Sequence, residues 1–431
     1  MECIPTNHAG AYTAGVMKAW YRHLFSVQEI EQSLVLQWVF GATLFSYFIA
    51  LSRLSGAVPL TIEGFAQSAP ACWPHFQTCY EVLFLHGLPY GYSQTTLHML
   101  FMAVLIGIVY LIFKKEWVYA HALLIIPFVW HVVAHLFLSG SISGNYDYYL
   151  ILFAGVLLFF PHKEFFLKLA LVWFYFLSTV IKIDAGWILG TYFSSLKTGL
   201  PLSPDWAIPL YTNVVIAMEM VGAWFLLSTV PWRQRVAVAF FAFFHVYSGI
   251  LVEYRYPATV LPTLLILFGP LYRHTPVPLD RPSIPGWILL GLLLCMQFVA
   301  PLIPGDEKLT LEGNKYGLYM FEANHQCVST ARIISSSGKE EEMIWANYSA
   351  RNRCDPYTAW FALKMRCKNN STITSMSWTF DHSVNGGPFL RIVDVPDACA
   401  LEYQPFTHNA WIKSYTDNPQ IIGYPLENYY D

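Results

Sequence analysis

Lys182 is the side chain best placed to do chemistry in this chain, because it stands in an otherwise apolar stretch, Leu171-Val-Trp-Phe-Tyr-Phe-Leu-Ser-Thr-Val-Ile-Lys-Ile-Asp-Ala-Gly-Trp187. An ammonium in hydrocarbon costs about 2.5 to 3.5 kcal/mol, so a chain keeps one there only where something offsets the cost. Desolvation also makes a lysine's free amine more available as a base. A structural role is equally open: a lysine near the end of an apolar run can snorkel to a polar interface or pair with Asp184. Glu219, in Tyr211-Thr-Asn-Val-Val-Ile-Ala-Met-Glu-Met220, and His245, in Phe240-Phe-Ala-Phe-Phe-His-Val246, are further polar groups set in apolar runs. Glu219 could be the counter-ion of Lys182 or a hydrogen-bonding hub, and its position does not decide between them.

His131 and His135 form His-x-x-x-His, a spacing that puts both rings on one helix face and could hold a metal. A di-iron oxidase would need several such boxes, including paired histidines, which the chain lacks. A packed or cavity-lining pair is the better reading, and no metal is expected. With no Gly-rich phosphate loop, Gly-x-Ser-x-Gly or Cys-x-x-Cys, nucleotide use, serine hydrolysis and thioredoxin chemistry have no support.

The elements that must position these groups are apolar. Only 12% of the 431 residues are charged, against about 25% in ordinary soluble domains. A net charge of -3 gives no field to attract nucleic acid. The composition predicts an α-helical polytopic membrane protein with the lipid bilayer as partner, and apolar runs give about nine transmembrane candidates: 32–54, 95–113, 117–139, 147–160, 165–184, 208–229, 234–252, 257–272 and 285–304. The fourth and eighth are short, and either could be a tilted or half-spanning helix.

Lys18, Arg22, Lys114, Lys115, Lys163, Lys168, Arg233, Arg235, Arg273 and Arg281 all fall on one side of such a bundle, which predicts a cytosolic N-terminus and an extracytoplasmic C-terminus; Arg53 and Arg255 oppose the bias. Residues 1–31 are then a cytosolic segment in which Trp20 to Phe25 could lie as an interfacial helix, 32–304 the bundle, and 305–431 an outer domain. No cleavage site follows the first apolar run, which reads as a retained anchor.

The outer domain reads as β-rich, from alternating stretches such as Thr374-Ser-Met-Ser-Trp-Thr-Phe-Asp381 and Leu390-Arg-Ile-Val-Asp-Val-Pro396. Cys72, Cys79, Cys327, Cys354, Cys367 and Cys399 all fall outside, where an oxidising compartment allows disulfides, and six cysteines leave fifteen pairings open. Cys295, within a span, reads as a small packing residue. Asn347, Asn369 and Asn370 begin Asn-x-Ser/Thr and are candidate glycosylation sites on the same face.

Val180-Ile-Lys-Ile-Asp-Ala-Gly-Trp187 resembles the Lys-Leu-Asp-x-x-Trp segment of vitamin K-dependent γ-glutamyl carboxylases and the wider horizontally transferred transmembrane domain family. Asn145-Tyr-Asp-Tyr-Tyr-Leu150 is similar to the family's Asn-His-x-Tyr-Leu, Glu219 to an intramembrane acidic position, and Phe244-His245 to a later Phe-His. Glu312-Gly-Asn-Lys-Tyr-Gly-Leu-Tyr-Met320 resembles the glutamate-binding segment, and Ser335 to Glu340, Gln404 to Phe406 and Asn409 to Trp411 follow in the family's order.

The resemblance implies that Lys182 deprotonates reduced vitamin K. Oxygen addition then makes an alkoxide that removes a γ-proton from peptide glutamate, so that carbon dioxide can add. It implies a catalytic role for His162 beside Lys182, cofactor contacts from Asn145, Glu219 and His245, and substrate contacts from Tyr316, Gly317 and Tyr319. His162 stands at the opposite end of its span from Lys182, against such a role unless the fourth span is re-entrant. The resemblance also suggests a disulfide from Cys72 or Cys79 to Cys367, clamping the outer domain over the bundle; the local alternative joins Cys72 to Cys79 and the tail cysteines among themselves.

The expected partner is a secreted peptide or protein bearing glutamates, and the expected location, if the source is eukaryotic, is the endoplasmic reticulum membrane. Met320-Phe-Glu-Ala-Asn324 departs from the Trp and paired Met of the animal enzymes, which weakens glutamate binding. A non-catalytic scaffold, receptor or complex subunit of the same fold is the alternative.

Overall fold

In the computed structural model the described residues are 8–52, 72–78, 92–137, 145–196, 199–251, 254–319, 322–347, 354–414 and 423–424. The helical part comprises α1 (His8–Leu24), α2 (Val27–Gln32), α3 (Leu34–Ser52), α4 (Tyr92–Phe113), α5 (Trp117–Phe137), α6 (Asn145–Phe159), α7 (Lys163–Val180), α8 (Ile208–Met220), α9 (Pro231–Leu251), α10 (Arg255–Phe268) and α11 (Ile284–Gln297). Helix α7 is buried around most of its circumference and forms the centre of the bundle, which fits its near-continuous run of Phe, Leu, Val and Ala.

The α6–α7 hairpin shows how local sequence fixes that centre. Pro161 cannot continue α6, and His162 turns the chain with a positive φ of 54°. The Glu29 carboxylate, reaching over from α2, accepts from the backbone N–H groups of His162 (2.9 Å) and Lys163 (2.8 Å), so a neighbouring helix supplies the N-terminal cap. Lys163 Nζ donates back to the Phe160 carbonyl at 3.0 Å, satisfying the end of α6. Gly286 of α11 lies so close to Phe166 that an added Cβ would sit 2.4 Å from its ring, which seats α11 on α7.

The expected membrane-crossing bundle is overturned: among the described residues no helix is long and apolar enough to cross a membrane. At 1.5 Å per residue, the 15, 13, 14 and 14 residues of α6, α8, α10 and α11 rise only about 20 to 23 Å, against an apolar layer of about 30 Å. Helix α7 has 18 residues but carries Lys163, Glu164 and Lys168, and α9 opens with Arg233 and Arg235. Apolar runs in sequence are longer than these helices because they continue through turns: run 208–229 breaks at Val221 into α8 and the 3-10 helix Gly222–Leu227. The sidedness drawn from the charged flanks falls with the spans. Several outer helix faces are nevertheless apolar, as in the exposed Ile284, Ile288 and Leu292 stripe of α11.

The C-terminal part is a five-stranded antiparallel sheet of β1 (His325–Ser335), β2 (Glu340–Asn347), β3 (Ile373–Val384), β4 (Phe389–Val395) and β5 (Gly423–Tyr424), in the order β2-β1-β3-β4-β5. The two alternating stretches read from sequence lie in β3 and β4. Helix α12 (Pro356–Asn369), started by Asp355 accepting from Tyr357 N at 2.9 Å, packs Tyr357, Trp360 and Phe361 with Trp378 and Phe380 of β3.

Two disulfides join Cys327 to Cys354 and Cys367 to Cys399, as suits an oxidising, extracytoplasmic compartment. The proposed bridge from the loop to Cys367 is therefore corrected: Cys367 is taken by Cys399, which faces it from the turn after β4. Cys72 is itself disulfide-bonded, and Cys79 lies outside the described residues. Cys295 is a free, exposed thiol rather than a packed one.

Candidate functional site

Lys182 lies just beyond α7, where Val180 ends the helix and the chain turns toward the sheet. Its side chain is 8% exposed, and Nζ donates to Glu219 Oε2 of α8 at 2.5 Å. Thr179 Oγ1, three residues earlier on the same helix face, donates to that same oxygen at 2.6 Å. The ammonium also stands 5.1 Å from the centre of the Trp187 ring. Of the three candidate partners of Lys182, Glu219 is the one it contacts. Asp184 instead caps the one-turn helix Ala185–Ile188 and pairs with Lys308 from the linker to the sheet.

Polar rings from α7, α9 and α10 stand next to the pair. Tyr175, four residues before Thr179 and so on the same face of α7, meets His245 Nε2 through its hydroxyl at 2.5 Å. His245 is fully buried on α9, where burial first and the Lys182 charge second push its pKa down to about 3, so the ring is neutral. Burial likewise raises the Tyr175 phenol well above its usual range and keeps it protonated. A protonated phenol donating to Nε2 puts the ring proton on Nδ1, which is buried with no hydrogen-bond partner. Tyr256 of α10 packs edge-on to His245, with ring centres 5.5 Å apart.

The other expected residues divide. His162 is not near Lys182: it caps the opposite end of α7, where its Nε2 meets both carboxylate oxygens of Asp280 at 2.9 Å. Eighteen helical residues, about 27 Å, separate the two ends, so His162 and Lys182 do not form one centre. Asn145 begins α6 at the same end of the bundle as Lys182, but its side chain lies outside what is described. Tyr319 is brought in, packing on Ile181 and Ala300 beside Lys182 while its hydroxyl donates to the Gln297 carbonyl at 3.2 Å. Gly317 permits this approach, since a Cβ there would sit 2.7 Å from the Tyr319 ring. Tyr316 sits under Phe406, stacked at 5.0 Å, in a separate aromatic cluster with Trp73 and His75.

His131 is buried and pairs with Asp147 at 2.9 Å, while the His135 side chain lies outside what is described. Among the described residues no group of three or more His, Cys, Asp or Glu could hold a metal. Asn369 and Asn370 are exposed at the end of α12, and Asn347 closes β2. Thr179, Tyr175 and Tyr256 were missed in the sequence. The first two were findable, because an offset of four puts them on one helix face just before Lys182; Tyr256 comes from a distant helix and carries no such signal.

Comparison with protein-family models, with curated proteins and with solved structures finds no match to the chain.

Proposed function

We propose that the chain is an enzyme of the vitamin K-dependent carboxylase type, with Lys182 as the base that takes a proton from a quinol hydroxyl. The observation that carries this reading is the Lys182–Glu219 contact, buried beside a neutral histidine whose Nδ1 has no hydrogen-bond partner. A lysine serves as a base only after losing a proton, and Glu219 Oε2 at 2.5 Å is an acceptor within direct reach. Thr179 holds that carboxylate in place, and Tyr175 fixes the His245 tautomer. The unsatisfied Nδ1–H of His245 suits an oxygen of a phenolic or quinonoid ligand, and the Tyr256 and Trp187 rings offer it apolar faces. Reduced vitamin K, with oxygen, would supply the strong base that Lys182 alone cannot be, and carbon dioxide would add to the glutamate carbanion.

A glutamate-bearing peptide is the protein substrate this reading carries, and a lipid surface against the apolar stripes of the bundle is the proposed membrane partner. The test supplies purified protein with vitamin K hydroquinone and oxygen and follows the epoxide by chromatography. The wild type should form epoxide, and Lys182→Ala should form it at least about 100-fold more slowly while keeping its circular dichroism spectrum. A folded wild type that forms none sinks the enzyme reading.

A scaffold is the second reading. It is favoured by the completeness of the ion pair, since Lys182 is already satisfied by a carboxylate and an aromatic face, as a structural cation would be. In that case Lys182→Ala would unfold the bundle or break an assembly rather than silence a reaction.

A further inference from the structure

Two Asn-x-Ser/Thr signals overlap at the end of α12, Asn369-Asn370-Ser371 and Asn370-Ser371-Thr372. Residues 369–372 are all exposed, so burial does not choose between them. Backbone and hydrogen bonding do. Asn370 leaves the helix, with φ −130° and ψ 93°. Its Oδ1 accepts from the Thr372 backbone N–H at 3.1 Å and from the Thr372 hydroxyl at 2.7 Å. A backbone N–H only donates, so the atom it meets is the amide oxygen, and Nδ2 is the other end of the carboxamide. Two donors on the oxygen polarise the amide, while Nδ2 stays exposed for reaction. Asn369, the last helical residue, has no matching bond to the Ser371 hydroxyl among the described residues.

The arrangement at Asn370 is local. Ile373 N donates to the Asn370 carbonyl at 3.2 Å, which closes the turn within four residues. Such a turn forms without the tertiary packing that a 14-residue helix requires, so it is present before α12 docks. Once the sheet is made, Ser336 N donates to the Thr372 carbonyl at 2.7 Å and holds the turn beside the β1–β2 connection.

We propose that Asn370, and not Asn369, carries an N-linked glycan, transferred from a lipid-diphosphate-linked oligosaccharide in the oxidising compartment that suits the two disulfides. Nδ2 attacks the anomeric carbon of the sugar. The N–C bond forms as the C–O bond to the diphosphate breaks; the diphosphate leaves with the electron pair, and Nδ2 gives up one proton. The glycan stands clear of the Lys182 site, because the 12 residues of β3 separate this turn from the joint at Asn385, about 40 Å at the usual strand rise. The inference does not depend on the quinol reading.

Peptide mapping of the full chain, expressed through the secretory pathway of a eukaryotic cell, tests it. N-glycosidase F in heavy-oxygen water converts a glycosylated asparagine to labelled aspartate, and fragmentation of the tryptic peptide Asn369–Arg391 tells the two positions apart. The wild type should carry the label at Asn370. Ser371→Ala, which destroys only the first signal, should keep it; Thr372→Ala, which destroys only the second, should lose it at least tenfold. Ser371→Thr gives both asparagines a threonine two residues on, and the label should still stay at Asn370. Should Thr372→Ala fail to fold, the wild-type and Ser371→Thr maps decide without it. Label at Asn369 in any of these chains, survival of the Asn370 label in Thr372→Ala, or an unlabelled wild-type peptide overturns the proposal.

Discussion

Glu219 is the residue on which the candidate site turns, because two donors converge on one of its oxygens. Removing one partner of a buried ion pair leaves the other charge uncompensated, at about 3 to 5 kcal/mol. Glu219→Leu should therefore cost that much in urea unfolding, whereas Glu219→Leu combined with Lys182→Met should recover most of it. A double variant no more stable than the single one would mean that the pair is not the source of the loss. His382 gives a pH signature. Its folded pKa, near 3, lies below the ordinary 6.5, so the unfolded chain binds the extra proton between those values. The associated stability is complete above about pH 6.5 and falls away as pH drops toward 3, by about 1.4 kcal/mol per unit in that window. His245 and His121, also lowered by burial, add the same sign. Unfolding free energies at pH 7, 5 and 4 should show a shallower slope, by about one proton, in His382→Gln; parallel slopes would exclude His382 as a contributor.

Among the elements, the strands were legible and the helix lengths were not. Period-two alternation in Thr374–Phe380 survives in β3, where Met376, Trp378 and Phe380 point into the core shared with α12, whereas in β4 a register shift opposite Phe380 and Asp381 breaks it, so that Ile392 and Val393 are both buried. Helix α12 itself was hidden: Tyr357, Trp360 and Phe361 look like strand residues until Asp355 and Pro356 are read as cap and first turn. Apolar runs misled because hydropathy does not register an apolar turn such as Val221-Gly222, which lies inside run 208–229. The pairing of Cys367 could not be read, since fifteen arrangements are compatible with the spacing. With a separation of 32 residues, the Cys367–Cys399 bridge should contribute about 3 to 4 kcal/mol in the chain-entropy description. Cys367→Ser with Cys399→Ser should lower sheet-domain stability by that amount and leave the bundle's unfolding midpoint in place. A loss of bundle stability of equal size would instead mean that sheet and bundle unfold as one unit.

At the scale of the whole molecule, bundle and sheet are joined by polar contacts that converge on the residues just after Lys182. Asp184 holds Lys308, Asn324 of the sheet side reaches Tyr192 and Ser195, and Asn385 at the β3–β4 turn accepts from Asn324 N at 2.9 Å. An added Cβ on Gly186 would sit 2.5 Å from the Asn385 amide, so the two parts meet without room to spare. The joint explains why site legibility stopped where it did: Lys182, Glu219 and His245 announce themselves as polar residues in apolar runs, while Asn324, Lys308 and Asn385 look like ordinary turn and linker residues. It also predicts a mechanical consequence. Asn324→Leu removes the amide's hydrogen bonds to the Tyr192 carbonyl and to Ser195 Oγ, each contributing about 0.5 to 1.5 kcal/mol. The disturbed segment follows Lys182 within a dozen residues, so the variant should loosen the turn that carries the base as well as the sheet. Hydrogen exchange should then rise both at 183–196 and at the start of β1, with the centre of α7 unchanged. If exchange rises at β1 alone, the sheet is anchored independently of the site, and the joint does not position Lys182.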